Sequence, residues 1–135
     1  MAFEGQQAVK LQGAVAGADL RASTTQYKFV KYNGTDNQVV LCNGATDVPC
    51  GVLQAPAPSS ATGTPVEVLA VGVTKLQQSA AQLSSGNILQ TDASAQAKAA
   101  VATGYPVGIV MAASNAVAST YITAAINCLS PVVKA

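Results

Sequence analysis

The sequence predicts an all-β protein: a small antiparallel β-barrel or β-sandwich-like domain behind an extended N-terminal arm. Three observations lead there. Short runs of β-branched and aromatic residues recur along the chain. Those runs stop at Asn-Gly, Pro or Gly signals, which are turn formers. The one alanine-rich stretch with helical propensity, residues 93–102, carries no apolar stripe, so propensity alone does not make it a helix.

Residues 1–24 mix Gln, Ala and Gly with spaced apolar residues and show no period, and are read as an arm that orders on contact with a partner. Phe3, Val9 and Leu11 are its candidate apolar anchors for a binding partner. Removing residues 2–17 is expected to leave a folded domain with poor partner binding. The β-rich domain then occupies residues 25–135. Its first strand, Thr25 to Tyr32, ends at Asn33-Gly34, and a second, Gln38 to Cys42, stops at Asn43-Gly44. A third strand, Cys50 to Gln54, runs into the Pro-, Ser- and Gly-rich loop 55–65, which cannot continue a sheet ladder. Val66 to Val73 is the segment richest in β formers and reads as a central strand covered on both faces. A polar connection over 77–86 leads to a strand at Asn87 to Thr91 and a turn at Asp92. Val107 to Met111 and Thr120 to Cys128 complete the set. Gly51 and Gly108 each follow a proline at a strand entrance, marking a bulge or a close backbone approach.

At 135 residues the chain suits one domain that needs neither metal nor disulfide to fold. Charged residues are only 10% of the total and the net charge is +1. That leaves a neutral surface suited to being covered by other protein, and no footprint for nucleic acid or an anionic membrane. No apolar run is long enough to span a bilayer, and a basic-then-apolar leader is missing, so the expected product is soluble and not exported.

The residues that usually carry chemistry are scarce. There is no His, which removes Ser-His and Cys-His mechanisms and leaves no ordinary neutral-pH base. Glu4, Asp19, Asp36, Asp47, Glu67 and Asp92 are the acids, several beside turn signals, and they read as turn formers rather than a catalytic pair. Cys42, Cys50 and Cys128 lack metal-site spacing and are read as buried free thiols, with a Cys42–Cys50 disulfide across a turn as the alternative. Neither phosphate-binding glycine motif occurs. The expectation is therefore a non-enzyme with no cofactor and no metal. One binding constellation remains, Tyr27, Phe29 and Tyr32 interleaved with Lys28 and Lys31, as on an OB-like platform that stacks bases. Strand alternation reads it instead as one core face and one wet face.

Three stretches together resemble the tailed-phage capsid decoration, or cement, proteins. These are Ala18 to Lys31, Thr46 to Gln54, and Val66 to Lys75 followed by Ser85 to Asp92. The sequence departs from that pattern at Ala93-Ser94-Ala95-Gln96, where a Gly-containing turn is expected. The resemblance implies a non-enzymatic virion protein, made in the host cytoplasm and placed on the outer surface of an expanded capsid. There it would clamp neighbouring major capsid protein subunits, as a homotrimer more readily than a dimer, with no nucleic acid or membrane partner. An OB-like nucleic-acid module and a self-assembling fibre or surface-layer subunit are the alternatives.

Overall fold

A computed structural model of the chain describes residues 8–79, 83–113 and 120–129. Ten strands make it up: β1 (Val9–Lys10), β2 (Val15–Ala16), β3 (Phe29–Tyr32), β4 (Gln38–Leu41), β5 (Gly51–Leu53), β6 (Val68–Gln77), β7 (Ile88–Thr91), β8 (Ala97–Ala99), β9 (Gly108–Ala112) and β10 (Tyr121–Asn127). They form one sheet in the order β2-β4-β3-β5-β6-β10-β9-β7-β8, with β1 pairing β6 off this path. All named ladders are antiparallel except β2 on β4.

β6 is the spine. Its first residues, Val68, Leu69 and Ala70, are buried consecutively, as expected of a strand covered on both faces. It continues to Gln77, four residues past the predicted end, because Thr74 and Leu76 keep alternating into the core while Lys75 points to water. The sheet curls at both ends. A bridge between Val15 and Pro65 ties β2 to the entrance of β6, and one between Gln78 and Ala97 ties β8 to its exit. The curls do not close into a barrel, so the sandwich-like form of the prediction is the one observed. One core cluster holds Ala16, Leu20, Val30, Val39, Leu53 and Val68. The other holds Phe29, Val52, Leu76, Leu89, Val110, Ile122 and Ile126.

Residues 8–22 are laid onto the domain. Ala14, Ala16 and Leu20 are buried. Their backbone is bonded on two sides: Gly17 N–H donates to Val39 O at 2.8 Å, Ala16 N–H to Thr64 O at 2.8 Å, and Val66 N–H to Ala14 O at 3.1 Å. Removing residues 2–17 would therefore delete β1 and β2 and open the core, contrary to the expectation from sequence. The loop 55–65 is irregular as expected, yet it buries Ala57 and lends Gly63 and Thr64 to β2.

Two further corrections concern turns. The first predicted strand begins only at Phe29, because Ser23–Thr25 forms a 3-10 turn and Tyr27 takes a left-handed backbone with φ 62°. The ambiguous alanine segment contains strand β8, entered through a turn in which Asp92 Oδ1 accepts the N–H groups of Ser94 at 2.8 Å and Gln96 at 2.9 Å. Ala95 sits there at φ 61°, the conformation for which a glycine was expected.

Candidate functional site

Several of the side chains that could do chemistry are engaged in holding the fold. Asp47 shows how. Its Oδ2 lies 2.9 Å from Lys31 Nζ and accepts the N–H groups of Asn43 at 2.8 Å and Gly44 at 2.9 Å. Burial works against the charged form of Asp47, but the Lys31 and backbone bonds outweigh it and hold its carboxyl below the ordinary 3.8. Asp19 is bonded by the Arg21 side chain, and Glu67 pairs with Lys10, both in exposed positions where ion pairs are screened. The thiols of Cys42, Cys50 and Cys128 are free and buried, and desolvation pushes each up to about 12. Among the described residues no group of three His, Cys, Asp or Glu could hold a metal ion, and no helix is long and apolar enough to cross a membrane.

The aromatic constellation does not form a stacking platform. Phe29 and Val30 are both fully buried, so β3 is covered on both faces. Tyr27 packs edge-on against Tyr121, with ring centroids 5.4 Å apart, and Lys31 is bound to Asp47 and to Asn43 Oδ1 at 2.8 Å. Tyr32 alone reaches solvent as an exposed aromatic of the set.

What the fold does offer is an apolar groove of about 400 Å³ lined by Leu11, Tyr32, Val48, Pro49, Cys50, Cys128 and Leu129. Four distant segments build it. Leu11 follows β1, where its N–H donates to Val68 O at 2.9 Å, and packs against the smaller core cluster. Tyr32 ends β3, and Val48 and Pro49 lead into β5, held by the Asp47 turn. Cys128 and Leu129 follow β10, with Cys128 N–H donating to Ala70 O at 2.9 Å. Tyr32, Val48 and Leu129 stay 50%, 41% and 56% exposed, an apolar rim of the kind that surface pockets use for binding. The Tyr32 hydroxyl is held above its ordinary 10.0, first by partial burial and then by the neighbouring Cys50.

The first and last described strands meet beside this groove. Val9 and Asn127, near the two ends of the described chain, are both register partners of Val71. Of the predicted anchors, the structure brings Leu11 into the groove and Val9 next to it, exposed at 41%. Phe3 lies outside the described residues. The sequence reading named Tyr32 only as part of the aromatic constellation and missed Val48 and Leu129, which no local pattern joins.

The fold thus defines an all-β, sandwich-like domain whose exposed features are apolar surfaces. Among solved structures it is similar to the head fiber gp8.5 N base in bacteriophage phi29, with a TM-score of 0.64 over 90% of this chain and 96% of that chain. Identity is 14%, so the likeness is one of fold. No family model matches the chain, and no curated protein does.

Proposed function

We propose that this chain is a non-enzymatic structural protein of a phage virion, located on the outer surface of the expanded head, where it joins neighbouring major capsid protein subunits. The observation that carries the reading is the apolar groove beside the first and last described strands, on a fold shared nearly end to end with a phage head fiber base. An attachment surface needs apolar rim residues that exchange water for a partner, and Leu11, Tyr32, Val48 and Leu129 supply them with no charge among them. The engagement of Asp19, Asp47, Glu67 and Asp92 in turns or ion pairs, and of the three thiols in the core, supports a role without a chemical step. Binding only the assembled shell would stabilise it by mass action, about 2.7 kcal/mol per site at a hundredfold excess over Kd, and many sites add.

Cosedimentation with expanded and unexpanded phage heads tests this. The unaltered chain should pellet with expanded heads, and Val48→Asp and Leu11→Asp should pellet at least about tenfold less, as expected for a charge placed in an apolar contact. Deletion of residues 2–7 keeps β1 and β2 and so isolates the contribution of Phe3. Equal pelleting of all forms, or none of the unaltered chain, would remove the groove as the attachment surface.

A further inference from the structure

The second half of the sheet has an unexpected outer face. Register pairs place Val73 opposite Ala125, Ala125 opposite Ile109, and Ile109 opposite Ile88, an unbroken row across β6, β10, β9 and β7. Directly opposite residues share a face, so these side chains form one apolar strip. Val73, Ile109 and Ile88 are 49%, 40% and 46% exposed, and Met111, two residues along β9, is 52% exposed. The inner face of the same strands is already the core, through Leu76, Ile122, Ala124, Val110 and Leu89. An antiparallel sheet with one wet side ordinarily reads apolar in and polar out. Here the row of Val73, Ala125, Ile109 and Ile88 on the outer side is apolar as well, and the four strands contain a single charged residue, Lys75.

We propose that this outer face is where a second copy of the chain packs, sheet on sheet, to form a two-fold dimer. Size supports that occupant. Four strands about 4.8 Å apart and seven residues of β10 at about 3.3 Å each give a face of roughly 20 by 23 Å. That plan of about 460 Å² is below the roughly 800 Å² per partner of a standard interface and suits the smaller, reversible class, in which monomer and dimer exchange. Charge supports it too. A strip without acids and with one lysine beside it has nothing to select a charged partner, whereas an uncharged strip is its own complement. Two flat faces pack about 10 Å apart with aligned strands, as in a sandwich core. One self-complementary patch closes as a dimer; the trimer implied by the family resemblance needs two different patches on each chain. This inference goes beyond the virion reading and does not depend on it, since the face is separate from the groove.

Sedimentation equilibrium of the purified full chain tests it without any capsid. The expected result is a monomer–dimer equilibrium that Ile109→Glu and Val73→Glu each weaken at least about tenfold, while Val48→Asp in the groove leaves it unchanged. Both strip residues are exposed, and circular dichroism confirms that the variants fold. Oxidation of an Ile109→Cys variant should trap a disulfide dimer, because Ile109 lies near the middle of the row and meets its counterpart close to the axis. A monomer at all concentrations, a trimer, or a dimer indifferent to Ile109→Glu and Val73→Glu would each overturn the proposal.

Discussion

Gly51 should be the least replaceable small residue in the chain. It is the first residue of β5, and a Cβ built there would lie 2.4 Å from Val68 Cγ1 and 2.6 Å from the Leu69 carbonyl oxygen. Ordinary carbon contacts begin near 3.5 Å, so the neighbours would have to retreat by about 1 Å. Val68 can turn only within a fully buried site, and Leu69 is backbone in the central strand, so neither gives way cheaply. Overpacking of this kind costs about 1–3 kcal/mol, and a backbone obstacle places Gly51→Ala at the upper end. The lower chain entropy of the unfolded alanine variant returns about 0.5–1 kcal/mol. A net loss of about 2 kcal/mol should lower Tm by roughly 8 °C in calorimetry. Gly44→Ala is the control, because its Cβ would meet Asp47 no closer than 3.6 Å; it should shift Tm by under about 2 °C. If Gly51→Ala unfolds within that same margin, the close approach of β5 to β6 is wrong.

The Asp47 turn offers a pH test. Its carboxyl is held below the ordinary 3.8, so its contribution is present above that pH and is lost as pH falls through the lower folded value. Asp47→Asn should cost about 1–2 kcal/mol by denaturant unfolding at pH 7, with the gap to the unaltered chain narrowing as pH falls below 3.8. The three thiols, each pushed up to about 12, should be inert to a disulfide reagent at pH 8 in the native protein and all react in guanidinium. Rapid native reaction at Cys42 would contradict its burial. Gly104→Ala should be nearly as damaging as Gly51→Ala. Its Cβ would fall 1.9 Å from Gln90 Oε1, the buried acceptor of Val101 N–H at 2.8 Å, and thermal unfolding would show a loss of at least about 2 kcal/mol.

Strands bounded by turn signals were legible. Gln38 to Cys42, Cys50 to Gln54, Asn87 to Thr91 and Thr120 to Cys128 each contain an observed strand within a residue or two, because Asn-Gly, Pro and Asp mark their ends. The close approaches inferred at Gly51 and Gly108 also have a physical counterpart, since a Cβ on Gly108 would lie 2.9 Å from Ala125 O. β1 and β2 were not legible. Two-residue strands carry no period, and only tertiary partners such as Val39, Thr64 and Val68 define them. β8 was hidden because its turn uses Ala95 where glycine is the usual signal. The binding surfaces are the least local features of all. The groove draws on Leu11, Tyr32, Val48 and Leu129 from four segments, and the apolar strip exists only through register across four strands. Within β7 alone, Leu89, Gln90 and Thr91 are all buried, so no alternation announces Ile88 as the outward residue.

Electron cryomicroscopy of expanded phage heads incubated with the purified chain tests the central claim most directly. Regular added density is expected over the junctions between capsomers, with each domain oriented so that Leu11, Tyr32, Val48 and Leu129 face the shell. Heads without added density, or domains bound with that groove turned to solvent, would contradict it.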